Sequence, residues 1–146
     1  MIGSYPSVVV RVTSALLSPF IAMFGIYIIA HGHYGPGGGF AGGVFVAVGA
    51  ILPRLTLPEL LSFRLFPPWL APTAGGIGLL LFLLVGLVPM LAGGAFLDYG
   101  AVEIAGMAAS RVRYLGILIV EIGVGLAVFG AMLLIFDVLT QRDGDA

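Results

Sequence analysis

The sequence predicts an all-α integral membrane protein with four transmembrane helices, read as a single membrane domain over residues 1–146. Three observations carry that reading. Apolar residues make up 60% of the chain and charged residues 9%, whereas a soluble domain carries about 25% charged residues. Six basic and seven acidic side chains cannot cover a water-facing surface, and the mean hydropathy is +1.18. Finally, the apolar residues fall into four runs of roughly the length that a bilayer-crossing helix needs, about 20 residues.

The first run spans about 8–29 and contains Pro19, which a membrane helix tolerates when nearby hydroxyls satisfy the freed backbone; Thr13, Ser14 and Ser18 are placed to do so. Its positive charge comes late, at Arg11, and no small-residue cleavage pattern follows, so it reads as a span and not as a signal peptide. The second run spans about 38–52, with Pro53 expected to end it. Residues 53–72 hold five Pro, two Arg and the only Trp, and read as a loop along the membrane–water boundary. The third run, about 73–91, has no charge. Asp98, Glu103 and Asp137 lie near span ends, where solvated or capping roles are expected, and the fourth run spans about 114–136.

Arg11, Arg54, Arg64 and Arg142 fall on one side of this topology, against Arg111 and Arg113 on the other. That count favours both termini in the cytoplasm of a multi-pass protein of the cell membrane.

Several function classes are excluded. The chain has no Cys, hence no thiol nucleophile and no thiolate metal site. A net charge of −1 gives no electrostatic grip on nucleic acid. No set of catalytic side chains is legible, and no cofactor is expected. The segment His31–Gly43 contains a formal G-x-G-x-x-G at Gly37, Gly39 and Gly42, but a membrane helix and not a strand precedes it, which removes the dinucleotide-binding context.

That same glycine-rich turn holds one of two candidate sites. Glycine permits positive φ and close backbone approach, and Pro36 fixes a torsion. Gly39, Gly43 and Ala47 give small residues at four-residue spacing, suited to close helix contact. Two readings fit: a packing hairpin, or a dip whose freed backbone groups line a hydrated ion path. His31 and His33 flank Gly32. Without a third ligand nearby they make no metal site, and a proton relay or simple bonding to backbone remains for them.

The second candidate is Glu121, inside the fourth run. An ionised group at the bilayer centre costs about 3 kcal/mol. The surrounding Leu, Ile, Val and Phe residues return roughly 4–8 kcal/mol, so the helix inserts, with the carboxylate turned toward protein, water or a partner. An acid in this position is either hydrogen-bonded glue or part of a cation or proton path. Gly116, Gly123 and Gly130 repeat every seven residues as a packing stripe, and Glu121 lies roughly 150° from it. Two opposite faces unsuited to lipid lead to the expectation that this helix sits between neighbours, at least one of them from another chain.

These two segments carry a family resemblance. Gly32-His33, Pro36-Gly37-Gly38-Gly39-Phe40 and Gly42-Gly43 match a G-H-x-x-P-G-G-G-F-x-G-G pattern, and Tyr114-Leu115-Gly116 with Val120-Glu121-Ile122-Gly123-Val124-Gly125 resembles the last helix of the same family. The chain is thereby similar to the MnhB/MrpB-type subunit of Mrp-type multisubunit Na⁺/H⁺ antiporters. The resemblance implies an accessory, non-enzymatic subunit with other subunits and the lipid bilayer as partners, in a complex that transports Na⁺ and H⁺. It further implies that Pro36 and Phe40 shape the turn and that Glu121 is a buried acid beside a neighbouring subunit. The same subunit type occurs in membrane-bound hydrogenases and related respiratory complexes, and a stand-alone four-helix cation/proton-coupled exporter is a third reading.

Overall fold

In the computed structural model, residues 7–32, 37–102, 104 and 106–142 are described; the expectations attached to His33, Pro36 and Glu103 lie outside them. Among the described residues, five α-helices follow one another: α1 (Val8–His31), α2 (Gly38–Thr56), α3 (Glu59–Leu65), α4 (Leu70–Leu91) and α5 (Ala109–Arg142), with a 3-10 turn at Tyr99–Ala101 before α5. Among the described residues there is no strand. Helices α1, α2, the stretch Glu59–Leu91 carrying α3 and α4, and α5 are each long and apolar enough to cross a membrane, which makes this a multi-pass membrane protein.

The four long helices pack in the spatial order α1, α2, α5, α4, so that α1 and α4 are the outer members and α2 and α5 the inner ones. Lipid tails are as apolar as the helices, so burying apolar area drives little association in a bilayer and close van der Waals contact takes over. The core reflects this: Ala47 and Ala50 of α2, Ala71 and Ala74 of α4, and Phe129 and Leu133 of α5. Among the described residues, Leu133 is the bulkiest fully buried side chain. Large apolar residues instead face outward, for example Leu16, Phe20 and Met23 on α1 and Leu80, Leu84 and Leu91 on α4.

Several elements differ from the sequence expectation. Pro53 does not end α2, which continues to Thr56. A proline cannot donate to the carbonyl four residues back, here that of Gly49. The Ser18 hydroxyl of α1 donates to that carbonyl at 2.6 Å, so the helix passes through the proline without a buried orphan. Ser18 thus serves the proline of the neighbouring helix and not its own Pro19. Residues 53–72 are not one loop but the end of α2, the short helix α3 and the start of α4. Beyond Pro53, the prolines of this stretch sit where helices begin: Pro58 is the N-cap of α3, and Pro67 and Pro68 directly precede the Trp69 N-cap of α4.

Helix α5 has 34 residues, or about 51 Å at 1.5 Å per residue, well beyond a hydrocarbon core of about 30 Å. The segment between α4 and α5 folds back on α4. The Leu97 amide donates to the Gly86 carbonyl at 3.3 Å, and a Cβ on Gly86 would strike the Phe96 ring. Leu97 takes a positive φ of 64° at this return.

The two opposite faces of α5 that are unsuited to lipid are both met by the chain's own helices, so they do not by themselves require another chain. A Cβ on Gly130 would meet Gly75 and Ala71 of α4, and one on Gly123 would lie 3.0 Å from the Gly78 carbonyl oxygen. On the other side, Gly43 of α2 lies against Gly125 and Val128. Gly116 departs from its stripe partners and sits under the Tyr99 ring.

Candidate functional site: a carboxylate in a glycine cradle

The two segments singled out in the sequence meet in space. Gly37 and Gly38 adopt φ of 129° and 51°, a region that L side chains rarely enter, and this reversal starts α2 directly beside the middle of α5. There Gly39 packs on the backbone of Glu121: a Cβ at Gly39 would collide with the Glu121 carbonyl oxygen and lie 2.9 Å from its carbonyl carbon. The Glu121 side chain turns toward the same turn. Its Oε1 would be 2.7 Å from a Cβ on Gly32, the C-cap of α1, and 3.3 Å from one on Gly38. The carboxylate therefore sits where α1 ends and α2 begins, in a space left by the missing side chains of Gly32 and Gly38, while Gly39 lets α2 approach the Glu121 main chain.

The chemistry of this placement is direct. The first amides of a helix have no intrahelical acceptor, and an acid at a helix N-terminus is favourably placed. Helix α2 has no side-chain cap from its own N-cap residue, Gly37, and no acid in its first turn. Glu121, reaching across from α5, puts a carboxylate at that terminus. The residue as a whole is partly buried, and its Oε2 is buried.

Gly42 and Gly43 continue the small face of α2 away from the acid. Gly42 meets Gly25 and Ile29 of α1, and Gly43 meets Gly125 of α5. Phe40 is 65% exposed on the first turn of α2. His31 is exposed and held on its own helix, its ring stacked on Tyr27 at 4.3 Å and its Nδ1 3.1 Å from the Tyr27 carbonyl oxygen. The structure thus brings Gly32, Gly38, Gly39 and Glu121 together and engages His31 elsewhere. Among the described residues, no three His, Cys, Asp or Glu side chains gather as metal ligands.

A second charged feature escaped the sequence reading. Arg54, counted as a loop charge, and Asp137, expected to be solvated or capping, form an ion pair with Nη1 to Oδ1 at 2.6 Å, their side chains 4% and 11% exposed. Arg54 Nη2 also donates to the Phe66 carbonyl at 3.0 Å, which caps the C-terminus of α3, and the guanidinium lies 5.1 Å from the centre of the Phe63 ring. The available signal was two opposite charges near the same end of the second and fourth runs, where an unpaired charge is costly.

At the segment between α4 and α5, the Asp98 carboxylate accepts from the Gly100 amide at 3.2 Å. Burial pushes the Tyr99 phenol above its usual range.

Comparison with known proteins places this architecture. A family profile described as "Domain related to MnhB subunit of Na+/H+ antiporter" matches residues 9–134, nearly the whole of the four-helix unit. The B-type subunit of the Na(+)/H(+) antiporter of Bacillus subtilis (strain 168) is 29% identical over 127 residues, covering 82% of this chain and 88% of that protein. The chain belongs to the family of domains related to the MnhB subunit of Na⁺/H⁺ antiporters.

Proposed function

We propose that this chain is an accessory membrane subunit of a multisubunit Na⁺/H⁺ antiporter, and that Glu121 in its glycine cradle is the group through which it takes part in cation or proton movement. The observation that carries this reading is the convergence of the turn and the acid, built from the segments that also carry the family resemblance. A carboxylate inside a membrane helix is costly and is retained where it meets ions, protons or partners. Here Gly32 and Gly38 border the carboxylate and Gly39 packs on the Glu121 main chain, which holds the acid at the start of a helix with its Oε2 buried.

The accessory character follows from what lies beyond the acid. Between Gly39 and Arg54 on α2, and between Glu121 and Asp137 on α5, every residue is apolar, glycine or proline. A cation or proton at Glu121 finds no polar side chain along that seam, so a neighbouring subunit must complete any crossing. The partners are the antiporter-like subunits of the complex, the ions are Na⁺ and H⁺, and the setting is the plasma membrane with both termini in the cytoplasm. Pairing Arg54 within the protein reduces the charge excess on that side, which is still led by Arg11, Arg64 and Arg142.

The test is purification of the tagged chain from its native membrane in mild detergent, followed by identification of the chains that come with it and Na⁺-driven proton movement in vesicles. Antiporter-type subunits and exchange support the proposal. Redox subunits would assign the chain to a hydrogenase-type or respiratory complex. A homo-oligomer that exchanges ions alone would make it a stand-alone exporter.

A further inference from the structure

The Arg54–Asp137 ion pair and the Glu121 cradle lie on one seam. Helices α2 and α5 run parallel, and their contacts advance together: Gly39 with Glu121, Gly43 with Gly125, then Arg54 with Asp137. The pair is therefore about 23 Å along the seam from the cradle, at 1.5 Å per residue. Between the two points the surface of α2 is nearly smooth, with Gly43, Ala47 and Ala50 buried along it. Such residues bring helices close but offer few ridges to resist sliding. A buried ion pair, by contrast, forms only where both side chains stay within reach of each other, and a misregister beyond that reach leaves two buried charges unmatched. Buried ionic groups are best attested as devices that fix register, since their net contribution to stability is small.

We infer that Arg54 and Asp137 are positioning residues for Glu121: their ion pair locks α2 and α5 in the register that seats the carboxylate between Gly32, Gly38 and Gly39. The tolerance is narrow. Sliding by one residue moves the backbone 1.5 Å, while Gly39 of α2 packs so closely on α5 that a Cβ there would lie 2.9 Å from the Glu121 carbonyl carbon. Arg54 also ties in α3 through the Phe66 carbonyl and the Phe63 ring, so the lock includes the segment linking α2 to α4. This inference rests on the proposed role of Glu121.

The experiment uses the assembled complex in vesicles, with exchange measured against Na⁺ concentration at matched amounts of complex. The variants are Asp137→Asn, Arg54→Lys, the swap Arg54→Asp with Asp137→Arg, and Glu121→Gln. A purely structural defect lowers the maximal rate and leaves the half-saturating Na⁺ concentration unchanged. A displaced carboxylate changes that concentration, by about threefold or more. The inference expects this change for Asp137→Asn, a smaller one for Arg54→Lys, and a return toward the parent value in the swap.

An Asp137→Asn complex with unchanged half-saturation overturns the inference, whatever its maximal rate. If Asp137→Asn prevents assembly, the swap and Arg54→Lys decide: a swap that assembles with parental half-saturation, alongside a shifted Arg54→Lys, supports it, and a swap that assembles without restoring half-saturation overturns it. Loss of exchange in Glu121→Gln with unchanged half-saturation in Asp137→Asn overturns the positioning role alone. Normal exchange in Glu121→Gln overturns the role of the acid, and the positioning role with it.

Discussion

Replacing Gly39 with Ala tests the cradle with one methyl group. The added Cβ would lie 2.9 Å from the Glu121 carbonyl carbon and 3.1 Å from its Cα, and closer still to the carbonyl oxygen. Carbon atoms pack best at about 3.5–4.0 Å, so the contacts are short by roughly 0.5–1 Å. Both carbons belong to the main chain of α5 and cannot swing aside, so α2 and α5 must part. Overpacking of this kind costs about 1–3 kcal/mol. The gain from replacing a helical glycine with alanine, about 0.5–1 kcal/mol, offsets only part of it. A net loss of about 1–2 kcal/mol lowers the folded-to-unfolded ratio roughly 5–30-fold. Gly76→Ala is the control, because nothing lies within 4 Å of its added Cβ. The assay is thermal unfolding of the purified complex in mild detergent, together with Na⁺-dependent proton exchange at matched amounts. Gly39→Ala should lower both midpoint and exchange, and Gly76→Ala neither. Equal stability and activity in the two variants would refute the close packing of the turn on Glu121.

Three further outcomes follow from the packing and the polar contacts. Gly123→Leu should destabilise the chain itself, because the side chain would be driven into Gly78 and Phe82 of its own α4; increased protease sensitivity of the isolated subunit checks this. Ser18→Ala should cost about 1 kcal/mol by leaving the Gly49 carbonyl without its donor, and less in a Pro53→Ala background, where a backbone amide is restored; a double-mutant cycle on thermal unfolding measures the difference. Tyr99 should ionise above the usual phenol value of about 10. Burial favours its neutral form, so the associated stability is intact below that value and is lost as pH rises through the raised one; the difference between wild-type and Tyr99→Phe in ultraviolet titration and alkaline unfolding checks both.

Much of the fold is legible in the sequence because a bilayer demands uninterrupted apolar helices, and the charge-free run near Thr73–Leu91 leaves no alternative. Proline is less legible. Pro53 looks like a stop until the hydroxyl of Ser18, in another helix, satisfies the carbonyl that the proline leaves free. The glycine turn and Glu121 are separately conspicuous, and four spans already make the second and fourth parallel, but their meeting depends on α2 packing beside α5 in one register, which local patterns do not encode. The Gly stripe on α5 signals close contact without naming its partner; α4 of the same chain fills that place at Gly123 and Gly130. Arg54 and Asp137 each resemble an ordinary boundary charge, and only the packing of α2 on α5 turns them into a pair.

The proposed role of Glu121, which lies among Gly32, Gly38 and Gly39, is in ion movement. The most direct measurement is Na⁺-driven proton exchange by vesicles carrying the complex with Glu121→Gln, which keeps the side-chain shape and removes its charge. The prediction is a complex that assembles in normal amount and loses most of its exchange. A fully assembled Glu121→Gln complex that exchanges at the parent rate would contradict it.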